Sequence, residues 1–120
     1  MNIQFTMIKI KRIYEDYSEF DGYRILVDRL WPRGISKERA KVDLWLKEIA
    51  PSNDLRKWYH DNSEKREQFQ KKYLLEIEKN STLLYETKKL IHEQKNITLL
   101  SASKDPKPIH AIILQQKLEE

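Results

Sequence analysis

Apolar and polar residues alternate at the beginning of the chain. Apolar side chains stand at positions 3, 5, 8, 10 and 13, and this pattern predicts a strand over 3–13. Lys9 and Lys11 fall between the apolar positions, so we expect both to point away from the core. The acidic segment 14–22 ends in Asp-Gly and predicts a loop or a single helical turn. A short apolar run then predicts a second strand over 23–29.

The middle of the chain carries apolar residues at helical spacing, separated by residues that begin or end helices. The predicted helices span about 43–49, the stretch capped by Ser52, the stretch from a capping box at 61–64 to about Lys79, and 82–94 capped by Ser81. Pro51 ends the first of them, and Asn96 is a stop signal after the last. A final helix is predicted to begin near Pro108, with Ile109, Ile112, Ile113 and Gln116 sharing one side.

A further strand is predicted at 97–101, where the chain is apolar enough for a central position in a sheet. Strands near both ends with helices between them favour an α/β fold. We expect a small, largely parallel sheet of about three strands, flanked by several helices, in a single domain of 120 residues. Only about nine residues join the first two strands. That is short for a right-handed crossover, so their relative direction stays open.

Composition excludes several kinds of function. The chain has no cysteine, which excludes a disulfide framework, a thiol nucleophile and thiolate metal sites. Its three histidines are scattered without zinc spacing, and its two glycines form no phosphate-binding loop. We therefore expect neither a metal nor a cofactor.

The charge and the first residues bear on partners and location. The net charge of +4 permits weak attraction to phosphates without requiring it. The lysine-rich helices also carry Glu every few residues, which is typical of a solvated face and makes nucleic acid an unexpected partner. Residues 1–7 are too short and polar for a signal peptide, and no run is long enough to cross a bilayer. We expect a cytoplasmic protein without membrane contact, and the oligomeric state is left open.

Two strand ends carry the side chains best suited to chemistry. Residues 26–34 read Leu-Val-Asp-Arg-Leu-Trp-Pro-Arg-Gly and place Arg29 and Arg33 around Trp31. Two guanidiniums beside a large aromatic ring suit an anionic, planar ligand. If the second and the late strand are parallel neighbours, the loop after the late strand lies at the same sheet edge. That loop contributes the donors Ser101, Ser103 and Lys104, and it precedes a helix start that favours anions.

The arginines and the tryptophan also have structural interpretations. Arg29 and Arg33 suit ion pairs with Asp28 or with the acidic loop 15–21 about as well as they suit a ligand. Trp31 is more often a core or lid residue than a ligand platform. We expect one face of its ring to pack on the helix that carries Trp45, with the indole edge turned toward Arg33.

His110 is the candidate catalytic residue. A histidine titrates near neutral pH and can act as acid or base, and Asp105 is the nearby carboxylate that would orient it. The alternative is a histidine that only forms hydrogen bonds at the start of its helix. Ser101 and Ser103 lack the Gly-x-Ser-x-Gly elbow of a nucleophilic serine.

The string Val-Asp-Arg-Leu-Trp-Pro-Arg-Gly at 27–34 is the most specific of several stretches that match a known family. The others are 8–14, 22–24, 44–47, 50–52, 55–58, 99–102, 104–105 and 110–111. Together they resemble the YeaO-like branch of the domain-of-unknown-function family 488, over nearly the whole chain. The resemblance implies a small bacterial α/β protein and no particular activity.

The second loop departs from the family pattern. The wider family often carries Cys, Glu and Cys ahead of the histidine, and those places correspond here to Ser101, Ser103 and Ile109. The YeaO-like branch commonly has Asn immediately before the histidine, where this chain has Ile109. These departures count against a catalytic role for the loop, although Arg29, Arg33, Lys104, Asp105 and His110 are retained.

The sequence favours a protein that binds a small phosphate- or carboxylate-bearing ligand between its two strand-end loops. Arg29 and Arg33 would hold the anion, Trp31 would cover it, and Lys104 would complete the charge. The alternative is a non-enzymatic module associated with nucleic acid or with regulation, supported by the net charge of +4. Whether the protein is an enzyme stays open.

Overall fold

The computed structural model describes residues 7–120, which fold into a four-stranded sheet with helices around it. The elements are β1 (Met7–Arg12), a 3-10 turn (Glu19–Asp21), β2 (Tyr23–Leu26), α1 (Lys37–Ala40), β3 (Leu44–Trp45), α2 (Asn53–Asp61), α3 (Arg66–Lys79), α4 (Ser81–Gln94), β4 (Asn96–Ser101) and α5 (Ile109–Glu119). Every strand pair is parallel, in the order β1-β4-β2-β3. The predicted α/β class is confirmed, with four strands where about three were expected. Positions 3–6 of the predicted first strand lie outside the described residues.

The late strand β4 holds the sheet together, in the central position that its apolar run predicts. Ile97 pairs with Ile8 of β1 on one side and with Tyr23 of β2 on the other. β1 and β2 are therefore parallel but not adjacent, which answers the question of their direction. The chain enters β2 through Gly22, whose φ is 68° and where a Cβ would lie 2.3 Å from the Asn96 carbonyl oxygen. Only glycine fits this approach.

Alternate residues of the strands supply two separate cores, because successive side chains point to opposite faces of a sheet. On one face, the buried strand residues Ile25, Ile97 and Leu99, and Val27 directly after β2, pack with Leu55, Phe69, Tyr73, Ile77, Ile91 and Leu114 of the helices. On the other face, Leu26 and Leu100 pack with Ile13, Ile35, Ala40, Trp31 and Trp45. The sheet is thus covered on both sides, as a parallel sheet requires.

A buried arginine on the second face of the sheet binds the segments that cover this face. Arg24 is 1% exposed and donates to the Asp21 carboxylate and to the carbonyls of Ala40 and Lys41. Lys11 also binds Asp21, and Lys9 binds the Phe20 carbonyl. Both lysines face away from the main core, as predicted, and they hold the acidic segment against the sheet. Every charge in this cluster has a partner, which a buried ion pair needs.

The predicted helix over 43–49 is wrong, because Leu44 and Trp45 form the edge strand β3. They pair with Ile25 and Leu26, and the Leu46 N–H donates to the Leu26 carbonyl. The free edge of β2 binds this backbone, so tertiary pairing overrides the local helical spacing.

Two of the predicted helix caps are also wrong. α3 begins only after Lys65, beyond the predicted box at 61–64, and neither α3 nor α4 has a side-chain cap. Ser81 is the first residue of α4 and not its cap. Ser52 does cap α2, since its hydroxyl accepts from the Leu55 N–H.

None of the helices within residues 7–120 combines the length and the apolar character that spanning a bilayer requires.

Candidate functional site

A cleft of about 1240 Å³ lies where the loops that follow β2 and β4 leave the sheet. β2 and β4 are parallel neighbours, so both loops lie at the carboxyl ends of their strands. This is the usual position of a ligand crevice in an open α/β sheet. α2 and the first residues of α3 and α5 supply the remaining walls.

The carboxylate of Asp28 joins the two loops. Its Oδ1 accepts hydrogen bonds from His110 Nε2 at 2.9 Å and from Ser101 Oγ at 2.8 Å. Its Oδ2 accepts from the Ala102 N–H at 2.7 Å. One side chain at the end of β2 thereby fixes the end of β4 and the first turn of α5.

These contacts keep the carboxylate ionised. Burial raises the pKa of Asp28, but hydrogen bonds from His110, Ala102 and Ser101 and the charge of His110 lower it by more, so the net pKa lies below its ordinary value. An ionised carboxylate only accepts hydrogen bonds, so the proton shared with His110 is donated by Nε2.

Asp28, and not Asp105, is the carboxylate that orients His110. The Asp105 side chain instead accepts from the Lys107 N–H at 3.0 Å, within its own loop. The sequence contained a signal for the correct partner: Asp28 follows one strand, and His110 begins the helix that follows a neighbouring parallel strand, so both lie at the same sheet edge.

Both candidate serines take part in local hydrogen bonds. Ser101 is 1% exposed, donates its hydroxyl to Asp28, and accepts from the Ser103 N–H at 3.1 Å. The Ser103 hydroxyl accepts from the Asp105 N–H at 3.2 Å. The two serines therefore shape the loop, and they also line the cleft.

Arg29 lines the cleft but is bound to backbone. Its Nε donates to the Pro51 carbonyl at 3.1 Å, and one terminal nitrogen donates to the Ala50 carbonyl at 2.9 Å. The guanidinium thus anchors the turn between β3 and α2. It forms neither of the two ion pairs that the sequence suggested.

Arg33 differs from Arg29, because its side chain is exposed at the cleft while its backbone is held. The Arg33 carbonyl accepts from the Tyr14 hydroxyl at 2.8 Å. Lys104 is exposed and does not belong to the cleft wall. The structure therefore places Arg33, and not Lys104, in the wall of the cleft.

Trp31 has one role in the core and one in the cleft. It is half-buried, and its ring meets Trp45 edge-on, with centroids 5.5 Å apart. Trp45 lies on β3 instead of the expected helix. The Trp31 indole N–H donates to the Ile35 carbonyl at 2.8 Å, which fixes the ring in place while it lines the cleft.

Three further cations line the cleft, and sequence reasoning missed them. Arg56 and Lys57 come from α2 and Arg66 from the start of α3. They stand on solvated helix faces, where nothing in the pattern of residues distinguishes them from other surface charges. Apart from the bonded Asp28 and Arg29, four Lys or Arg side chains and two carboxylates line the cleft, so its wall is cationic.

Among residues 7–120, no three His, Asp or Glu side chains are grouped to hold a metal ion.

Comparison with known proteins identifies the family. A family model described as "Inactive DUF488-N3 subclade" matches residues 7–120. The uncharacterised protein YeaO of Escherichia coli K12 is 42% identical over 109 residues, which cover 89% of this chain and 92% of that protein. An uncharacterised protein of Mycobacterium tuberculosis is 38% identical over 116 residues, 97% of each chain. No solved structure matches.

The expected resemblance is thus confirmed over nearly the whole chain. The match includes β4 and the loop after it, where this sequence has Ser101 and Ser103. The chain belongs to the DUF488 family, in its inactive N3 subclade.

Proposed function

We propose that this bacterial protein binds a small anionic ligand, carrying a phosphate or a carboxylate, in the cleft between its two strand-end loops. The observation that carries the proposal is the cationic wall: once the bonded Asp28 and Arg29 are set aside, four Lys or Arg side chains and only two carboxylates line the cleft. Opposite charge in a concave, partly apolar site is the usual basis of anion recognition.

Different parts of the wall suit different parts of such a ligand. Arg33, Arg56, Lys57 and Arg66 would contact the anionic group, because guanidinium and ammonium donors form strong charge-assisted hydrogen bonds with phosphate and carboxylate oxygens. Trp31 would cover an apolar or planar part of the ligand. Arg29 would act indirectly, by holding the turn from which α2 projects.

Turnover of the ligand by a cysteine or serine nucleophile is not part of this proposal. The family model is described as an inactive subclade. The chain has no cysteine, and the Ser101 hydroxyl is buried against Asp28. The proposed location is the cytoplasm, which suits a cysteine-free chain.

Calorimetric titration tests the proposal. Inorganic phosphate and phenyl phosphate should bind, and phenol should not. Arg33→Ala should weaken phosphate binding about tenfold, since a hydrogen bond between charged groups contributes about 1.5–3 kcal/mol. Lys71→Ala is the matched control, because it removes one exposed charge from α3 outside the cleft.

Two results would contradict the proposal. One is that neither anion binds; the other is that Lys71→Ala weakens binding as much as Arg33→Ala, which would indicate only general charge attraction. Duplex DNA that binds more tightly than phosphate at physiological salt would instead favour the nucleic-acid alternative, because non-specific contacts to phosphates weaken steeply with salt.

A further inference from the structure

The two ring nitrogens of His110 have different surroundings. Nε2 donates to Asp28, so in the neutral imidazole Nδ1 carries the lone pair. Within residues 7–120, Nδ1 has no hydrogen-bond partner, and Asn96 Oδ1 is the one buried side-chain polar atom left without a partner. Nδ1 is therefore not buried, and His110 lines the cleft. The fixed ring of His110 thus has an unpaired, accessible nitrogen and belongs to the wall of the proposed ligand site.

Neither Ser101 nor Ser103 donates a hydrogen bond to the imidazole of His110. In a Ser–His pair the imidazole accepts the serine proton. Here the Ser101 hydroxyl donates to Asp28 Oδ1, the same carboxylate oxygen that His110 binds. The Ser103 hydroxyl is engaged with the Asp105 N–H. Neither serine hydroxyl is hydrogen-bonded to the imidazole, and the imidazole nitrogen itself is the available nucleophile.

We infer that His110 accepts a phosphoryl group on Nδ1 from an acyl phosphate bound in the cleft. The inference rests on the proposed function, because the donor is a phosphate-bearing ligand of the same site. It assigns the Asp28–His110 pair a modification that anion binding alone does not require.

The transfer balances without a further reactant. The Nδ1 lone pair forms a bond to phosphorus while the bond from phosphorus to the acyl oxygen breaks. The leaving carboxylate takes the electron pair of that bond and needs no proton. The ring keeps its proton on Nε2 and becomes cationic, and the Asp28 carboxylate stabilises this cation.

The cleft supplies the remaining requirement, which is compensation of phosphoryl charge. Catalysis of phosphoryl transfer consists largely of positioning and electrostatic stabilisation. Arg33, Arg56, Lys57 and Arg66 line the same cleft as His110. Asp28 is a positioning residue here, since it acts through the imidazole and does not touch the phosphoryl group.

The experiment incubates the full chain with acetyl phosphate at neutral pH and measures its intact mass and its phosphorus NMR spectrum. We expect one phosphoryl group per chain, stable in alkali, labile in acid and mapped by peptide fragmentation to His110. His110→Gln should lose the modification. His92→Gln, an exposed position on α4 outside the cleft, should retain it.

Asp28→Asn tests the positioning role. The rate of phosphorylation should fall at least about tenfold, because the carboxylate that holds the imidazole in its reactive tautomer is lost. Nitrogen NMR of the His110 ring should show the proton moving away from Nε2, a signature that a loss of stability alone would not produce. Melting temperatures of all variants verify that they are folded. Phosphorylation of the wild-type chain tests the inference even if one of the variants does not fold.

The outcomes separate this inference from the proposed function. A chain that remains unmodified, or is modified only at another residue, overturns the inference. Release of phosphate from acetyl phosphate that depends on His110, without any phosphohistidine, also overturns it, because the histidine would then activate water. If phosphate and phenyl phosphate still bind in the titration, only the inference fails. If they do not bind, the proposed function fails as well.

Discussion

Asp28 and His110 are 82 positions apart in the sequence and 2.9 Å apart in the fold. Their contact links the end of β2 to the start of α5 across the central strand, and Ser101 and Ala102 join it from β4 and the residue after it. This part of the cleft wall is therefore a single hydrogen-bonded unit, and its carboxylate should control both stability and the orientation of the histidine.

Removing this carboxylate should be costly. Asp28→Ala leaves three donors without their acceptor, and we expect a loss of about 3 kcal/mol in the free energy of unfolding, as when one partner of a buried pair is deleted. Urea unfolding measures it. Asp105→Asn is the control and should change stability by less than about 0.5 kcal/mol, because the residue is exposed and an amide oxygen still accepts from Lys107. Equal losses in the two variants would show that the Asp28 contacts contribute nothing special.

The same carboxylate should make stability depend on acid pH. The pKa of Asp28 is lower in the folded chain than in the unfolded chain, since burial is outweighed by its hydrogen bonds and by the charge of His110. Its contribution is therefore complete above the ordinary Asp pKa of about 4 and is lost as the pH falls through the folded value. The gap in unfolding free energy between the wild type and Asp28→Asn should narrow from pH 7 to about pH 3. A gap that stays constant would contradict the assignment.

Arg29 and Arg33 should separate stability from binding. Arg29→Ala removes hydrogen bonds to the Ala50 and Pro51 carbonyls and should cost about 2 kcal/mol of stability, since these bonds involve a charged donor. Arg33→Ala should cost less than about 0.5 kcal/mol, because its side chain is exposed, but should weaken phosphate binding. Thermal melts with and without phosphate measure both effects. Melts in which Arg33→Ala is the less stable variant would reverse the two roles.

Trp31 should show a mixed response. A fully buried Trp→Ala costs about 3–5 kcal/mol, so the half-buried Trp31 should cost about 2 kcal/mol. Trp31→Phe keeps an aromatic ring beside Trp45 and loses the bond to the Ile35 carbonyl, for a cost of about 1 kcal/mol. Trp31→Ala should also weaken phenyl phosphate more than inorganic phosphate. If both ligands are weakened equally, the ring does not cover the ligand.

The two glycines provide a matched pair. Both have positive φ, 68° at Gly22 and 77° at Gly34, but a Cβ at Gly22 would clash with Asn96 and one at Gly34 would meet nothing within 4 Å. Gly34→Ala should therefore cost only the conformational term of about 1 kcal/mol. Gly22→Ala should cost clearly more, about 3 kcal/mol, because the β2–β4 contact must also shift. Chemical denaturation of both variants decides it, and similar losses would show that the clash is relieved cheaply.

The elements that the sequence predicted well are those whose own pattern decides their structure. The run at 97–101 has no polar face, so it had to be central, and the lysines at positions 9 and 11 mark the other face of β1. β3 could not be predicted in this way. Its two residues adopt a strand conformation because they pair with the free edge of β2, and their own sequence pattern does not show this.

The sequence predicted where the candidate residues lie better than it predicted what their side chains contact. The two loops do meet, as the parallel strands require, and they bring Trp31, Arg33 and His110 to one cleft. The carbonyls that bind Arg29 and the cations on α2 and α3 depend on how the chain turns after β3, which the residues themselves do not encode locally.

The position of β4 also has a consequence for synthesis on the ribosome. β1 and β2 each pair with β4 and not with each other, so the described part of a nascent chain, from residue 7, has only the two-residue β2–β3 pairing before position 96 emerges. Its helices and apolar strands cannot pack into the native sheet until the last fifth of the polypeptide has been synthesised, because the parallel pairing with β4 is long-range. A stalled chain that ends at position 95 should therefore be sensitive to proteases and bound by chaperones, and release of the complete chain should trigger folding of the whole sheet at once.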